Sequence, residues 1–127
     1  MPPRALVVDD SRATRTMLRR ILAQLGYDET AEAGDGQQGL AQLEANGGVE
    51  LVLVDWNMPV MDGYEFVRAV RADTKWDAVK LVMVTTESEP THVQQALAAG
   101  ADEYVMKPFS ADVLREKLGL LGLGRLS

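Results

Sequence analysis

A chain of 127 residues, 46% hydrophobic and 25% charged, carries enough apolar material for one domain with a buried core. It has no cysteine and a single histidine, His92, which excludes disulfides, thiolate metal sites, cysteine nucleophiles and histidine relays. A net charge of −6 argues against direct nucleic-acid binding, and no apolar run suits a secretory leader or a membrane span, so a cytoplasmic protein with no membrane partner is expected.

Two kinds of segment alternate along the chain. Aliphatic runs occur at Ala5-Leu6-Val7-Val8, Leu51-Val52-Leu53-Val54 and Leu81-Val82-Met83-Val84, with a weaker one at Tyr104-Val105-Met106. Near-continuous apolar strands of this kind suit a parallel sheet covered on both faces. Thr30-Ala31-Glu32-Ala33 reads as a further strand, and its charge and alternation place it at an edge.

Helical patterns fill the gaps. Met17, Leu18, Ile21, Leu22 and Leu25 make one stripe, ended by Gly26, with Arg12, Arg15, Arg19 and Arg20 mostly on the opposite, solvated side. Leu40 and Leu43 mark a second helix, stopped by Asn46-Gly47-Gly48; Phe66, Val67 and Val70 mark a third, with Asp62 as its cap. Val93, Ala96 and Leu97 mark a fourth, with Ser88 as cap and Gly100 as stop. Ser110 caps the fifth, with Phe109 stapled against Leu114, and the stretch from Gly119 to Gly124 reads as a fraying end. The result is a β-α unit repeated five times. In such a fold ligands sit outside the carboxyl ends of the strands, and crossovers are right-handed.

That rule sorts the polar residues. Asp9-Asp10 follow the first strand, Asp55-Trp56-Asn57-Met58-Pro59 the third, Thr85-Thr86 the fourth and Lys107-Pro108 the fifth. Each has an ordinary reading. Asp9 or Asp10 alone is a helix cap, Asp55 a loop acid before a turn, Thr85 a strand-end residue and Lys107 a surface charge. Convergence on one rim is what the ordinary readings leave unexplained.

Two like charges about 4 Å apart repel by roughly 4 kcal/mol at an effective dielectric near 20, so gathered acids call for a cation. Hard oxygen ligands with open positions favour Mg²⁺, which keeps waters and bridges carboxylate to phosphate; no nitrogen or sulfur ligand competes for a softer metal. A carboxylate beside such a metal is a nucleophile toward phosphorus, and Lys107 and Thr85 supply charge and a hydroxyl for the phosphoryl oxygens. The inventory points to phosphoryl transfer onto aspartate.

Four segments together carry a family resemblance: Leu6-Val7-Val8-Asp9-Asp10-Ser11, Val54-Asp55-Trp56-Asn57-Met58-Pro59-Val60-Met61-Asp62-Gly63, Val84-Thr85, and Tyr104-Val105-Met106-Lys107-Pro108-Phe109. In this order and spacing the chain resembles the receiver domains of two-component response regulators over essentially its whole length. The stretch from Asp55 to Gly63 is most similar to the chemotaxis type. The resemblance implies a flavodoxin-like α/β fold, a doubly wound (βα)5 domain with a five-stranded parallel sheet in the order 2-1-3-4-5. It also implies that residues 1–127 form a single receiver domain with no output domain.

By the same resemblance Asp55 matches the phosphoacceptor, which takes its phosphoryl group from a phosphohistidine on a sensor histidine kinase. Asp10 matches the acid that binds Mg²⁺ directly, Asp9 the one that helps place it, often through water, and Asn57 a ligand through its backbone carbonyl. Lys107 matches the lysine that pairs with the acceptor and then the phosphoryl group, and Pro108 a proline whose preceding bond is commonly cis. Thr85 and Tyr104 match the switch pair. The readout face, for an unidentified downstream protein, is then the fourth helix, fifth strand and fifth helix, in a monomer or weak homodimer. Asn57 and Glu87 match the pairing in rapidly self-dephosphorylating members, whereas Thr86 stands where the family has a smaller residue.

Other residues have plainer readings. His92 is placed on a surface helix away from the acids, Trp56 beside the site or as an exposed neighbour, and Trp76 as a packing anchor. Met58, Met61, Met83 and Met106 read as packing, and Asp35-Gly36 as a turn. Two rival functions stand at this stage. One is an aspartate-nucleophile phosphatase of the haloacid dehalogenase type, opposed by Asn57 where that family has a second Asp. The other is an interaction module that has lost phosphorylation, opposed by the intact set of Asp10, Asp55, Thr85 and Lys107.

Overall fold

The computed structural model describes residues 4–86 and 89–123. In chain order the elements are β1 (Ala5–Val8), α1 (Arg12–Gln24), β2 (Thr30–Ala33), α2 (Gly36–Ala45), β3 (Leu51–Val54), α3 (Gly63–Arg71), a 3-10 turn (Thr74–Trp76), β4 (Lys80–Thr85), α4 (Pro90–Ala99), β5 (Glu103–Met106) and α5 (Ala111–Leu120). All strand pairs are parallel, in the order β2-β1-β3-β4-β5, which is the flavodoxin-like arrangement expected. No described helix is long and apolar enough to cross a membrane.

The strands are aliphatic throughout because both faces of the sheet are covered. Side chains alternate across a strand, so each run feeds two separate cores. Leu6 and Val8, Val52 and Val54, Leu81 and Met83, with Tyr104, pack on the face carrying Leu43, Phe66, Val67, Val70 and Ala96 from α2, α3 and α4. Ala5 and Val7, Leu51 and Leu53, Val82 and Val84, with Val105, pack on the other face against Leu18, Leu22, Leu114 and Leu118 from α1 and α5. Full burial of side chains such as Phe66 and Leu22 stabilises the fold by about 1.5–3 kcal/mol each.

Local signals set the helix ends. Asp62 and Glu65 form a reciprocal capping box at the start of α3, and Ser11, Asp35 and Ser110 each accept a backbone N–H at the start of α1, α2 and α5. Asp35-Gly36 is therefore a helix entry rather than a simple turn. Gly100 ends α4 at φ 121, a left-handed conformation that suits glycine, and its carbonyl accepts from Arg71 Nε at 3.0 Å. Arg71 also donates to the carbonyls of Trp76 and Val79 and to Asp102, fastening the end of α3 to β4 and the approach to β5.

The structure departs from the pattern reading in several places. Met17 is 43% exposed and lies off the buried stripe of α1, because only Leu18 and Leu22 of that helix reach full burial. Leu97 and Met106 are also substantially exposed. The expected fraying from Gly119 is corrected as far as Leu123, since α5 runs on through Leu120, and Leu121 and Leu123 pack on the α1/α5 core; Gly124 lies outside the described residues. Apolar contact outweighs the glycines there. The fourth helix starts at Pro90 with Glu89 at its N-cap and no side-chain cap bond; Ser88, the expected cap, and Glu87 lie outside the described residues.

Candidate functional site

Parallel strands bring all their carboxyl ends to one rim, and the ladder continues just past them. The backbone N–H of Asp9 donates to Ala33 O at 3.0 Å, that of Asp55 to Val8 O at 3.0 Å, and that of Lys107 to Thr85 O at 2.9 Å. Asp9, Asp55 and Lys107 are thus held by sheet bonds although they lie beyond the strands. Carboxylate oxygens of Asp9, Asp10 and Asp55 lie within 4.8 Å of one another.

The three acids are in different states. Asp9 is 1% exposed; its Oδ1 accepts the Ser11 N–H at 2.8 Å and its Oδ2 accepts Lys107 Nζ at 2.9 Å. Asp55 Oδ2 receives the same ammonium at 3.4 Å, while its Oδ1 is buried and accepts no hydrogen bond among the described residues. Asp10 is exposed, and no contact among the described residues holds its carboxylate. Lys107 therefore sits closer to Asp9 than to the candidate acceptor. One ammonium offsets part of the repulsion among three carboxylates, and the remainder favours a cation. A buried carboxylate oxygen without a donor, beside two more acids, fits a hard divalent ion such as Mg²⁺.

The loop after β3 is shaped by close backbone approach. Gly63 N–H donates to Trp56 O at 2.8 Å, and a Cβ at Gly63 would run into the carbonyl of Asp55, so only glycine lets α3 start there. Val60 has φ 68 and is 71% exposed, an uncommon conformation for a β-branched residue. Asn57 is exposed, two residues beyond Asp55.

Trp56 is half-buried and stacks on Tyr64 of α3, with ring centroids 5.5 Å apart and planes at 20°. The ring of His92 lies 5.2 Å from the same indole. Packing of α3 against α4 thus brings His92 onto the indole of the residue that follows Asp55, a contact the sequence reading did not anticipate. Trp76 is the expected packing anchor against the α2/α3/α4 core. Met83 is fully buried, and Met58 and Met61 pack partly buried on that core.

Thr85 is fully buried at the end of β4, and Tyr104 is 8% exposed on β5, paired in register with Met83. Beside Tyr104 a groove of about 600 Å³ is lined by Pro90, Val93 and Leu97 of α4, Met106 of β5 and Lys117 of α5. The Lys107–Pro108 bond is cis, as the resemblance implied.

The structure thus brings Asp9, Asp10, Asp55 and Lys107 together and places Thr85 at the neighbouring strand end, and the strand-end rule missed Arg15. That residue was read as part of a solvated face, yet its side chain is 18% exposed, pairs with Glu32 of β2 and donates from Nη1 to Asp9 O at 2.6 Å. Helical spacing gave no signal for it, because both partners come from other segments.

A five-stranded doubly wound domain with three acids and a lysine at one rim defines a class, and comparison with known proteins agrees. Residues 5–119 match the response regulator receiver domain family, and the chain belongs to it. It is 42% identical over 113 residues to chemotaxis protein CheY1 of Helicobacter pylori, covering 89% of this chain and 91% of that protein. To a chemotaxis protein CheY homolog of Campylobacter jejuni it is 43% identical over 120 residues, covering 94% and 92%. Among solved structures, chemotaxis protein CheY4 of Vibrio cholerae superposes with a TM-score of 0.85 at 36% identity, covering 94% of this chain and 98% of that one. Family membership sets aside the haloacid dehalogenase-type phosphatase reading.

Proposed function

We propose that this receiver domain accepts a phosphoryl group on Asp55 from a phosphohistidine of a sensor histidine kinase, and passes the signal on by altering a protein-binding face. An Asp55 carboxylate oxygen attacks phosphorus, the P–N bond breaks, and the departing imidazole takes a proton. The observation that carries this reading is the asymmetry of Asp55: Oδ2 is held by Lys107 at 3.4 Å, while Oδ1 is buried with no donor. Asp10, Asp9, Asp55 and the Asn57 carbonyl would hold Mg²⁺, which when bound neutralises charge on the transferred oxygens. Asp9, with both oxygens already accepting bonds, suits a role through water. Lys107 moves its charge toward the phosphoryl group, and Thr85 donates its hydroxyl to it.

Thr85 and Tyr104 form the coupling pair, since both lie at the junction of β4, β5 and α4. The groove formed by α4, β5 and α5 offers the downstream partner an apolar floor. Hydrolysis of the acyl phosphate by water resets the domain, and a cytoplasmic monomer or weak homodimer suits this work. The test is phosphotransfer from a labelled kinase or a small acyl phosphate. Wild type should take up label in Mg²⁺ and not in EDTA, and Asp55→Asn should take up none while keeping its fold. Label on Asp55→Asn at the wild-type level would refute the acceptor assignment. Absence of any Trp56 fluorescence response to Mg²⁺ or beryllofluoride would favour an interaction module without phosphorylation.

A further inference from the structure

Asp10 is the exposed member of the acid cluster, and no side chain or backbone donor among the described residues orients its carboxylate. What is fixed is the point from which that side chain starts, because a peptide plane joins its Cα to Asp9. A peptide unit is rigid, so holding the Asp9 carbonyl oxygen sets the direction in which the Asp10 Cα leaves. That oxygen accepts Arg15 Nη1 at 2.6 Å. We infer that Arg15 is a positioning residue for the metal cluster: by gripping the Asp9–Asp10 peptide it aims Asp10 at the ion site.

The grip is itself braced. Arg15 Nε donates to Glu32 Oε1 at 3.0 Å, and the other oxygen of Glu32 accepts Arg19 Nη1 at 2.9 Å. Glu32 stands on β2 opposite Val7 of β1, two residues before Asp9, so the brace is anchored in the sheet next to the strand that delivers the acids. The planar guanidinium serves two acceptors in fixed directions, which a lysine ammonium does not reproduce. Glu32 is shared between Arg15 and Arg19 and offsets only part of their charge, so a variant that keeps the charge of Arg15 is needed to isolate its geometric contribution. Partners that orient metal ligands typically change affinity by about 10–100-fold when lost.

The inference rests on the metal-site reading above, and the experiment separates the two. Mg²⁺ is titrated into the full chain and followed by Trp56 fluorescence and by calorimetry, with unfolding midpoints measured in EDTA and titrations run well below them. Arg15→Ala should weaken Mg²⁺ binding about tenfold. Arg15→Lys, which keeps charge and most of the packing, should still bind several-fold more weakly than wild type. Arg19→Ala, which loosens Glu32 without touching Asp9, should stay within about twofold. A residue that only pins α1 to β2 would lower the midpoint and leave the Mg²⁺ dissociation constant alone. Wild-type affinity in Arg15→Lys, alone or with Arg15→Ala, overturns the inference. If wild type itself binds no Mg²⁺, or Asp10→Asn binds as well as wild type, the metal-site reading falls and takes the inference with it.

Discussion

Replacing Lys107 with methionine removes the ammonium that, among the described residues, is bonded to the acid cluster, while leaving a similar aliphatic stem. Its Nζ lies 2.9 Å from Asp9 and 3.4 Å from Asp55, with the lysine side chain 17% exposed and the two acids 2% and 12%. At an effective dielectric near 20 these gross attractions are about 6 and about 5 kcal/mol. Desolvation offsets much of each, and breaking one side of a buried pair costs about 3–5 kcal/mol. For Lys107→Met we expect a loss of about 3 kcal/mol in metal-free buffer. In a domain of this size that is roughly a 10 °C fall in the unfolding midpoint. Thermal unfolding followed by circular dichroism, in EDTA and again in excess Mg²⁺, measures it. Mg²⁺ should raise the midpoint of the variant more than that of wild type, because the ion replaces the lost neutralising charge. Equal midpoints for the two proteins in EDTA would refute the premise that these acids are held against their repulsion.

Thr85→Ala should accept label within about twofold of wild type, yet lose most of the phosphorylation-dependent change in partner affinity, measured as a ratio of dissociation constants with and without beryllofluoride. Val60→Asn should stabilise the domain by about 1 kcal/mol in urea unfolding, since asparagine tolerates the left-handed conformation at φ 68 and the side chain is exposed. Gly63→Ala should cost about 1–3 kcal/mol and weaken Mg²⁺ binding, because the new methyl group forces the Asp55 carbonyl aside. Wild-type Mg²⁺ affinity in that variant would show that the loop is free to shift.

The sheet was legible because burial on both faces demands uninterrupted aliphatic runs, and Leu51-Val52-Leu53-Val54 has no other economical reading. The strand-end rule then located Asp9, Asp55 and Lys107 without coordinates. Contacts between distant segments were not legible. Nothing in the α1 stripe distinguishes Arg15, which turns inward to Glu32 and Asp9, from exposed Arg20. The contact of His92 with Trp56 escaped for the same reason: it depends on how α3 and α4 pack, a quantity that periodicity within either helix does not contain. The end of α5 was misjudged because glycine content was weighed without the apolar surface that Leu121 and Leu123 find.

The sheet is also a partition. Met83 and Tyr104 face the compartment shared with α4, whereas Val84 and Val105, their immediate neighbours, face the one shared with α1 and α5. The Tyr104 ring is therefore separated from the opposite layer by a wall of backbone. Among the described residues, the layer of α2, α3 and α4 and the layer of α1 and α5, which carries Arg15, are joined only through the sheet and around its edges, so a packing defect introduced in one has no direct side-chain route to the other.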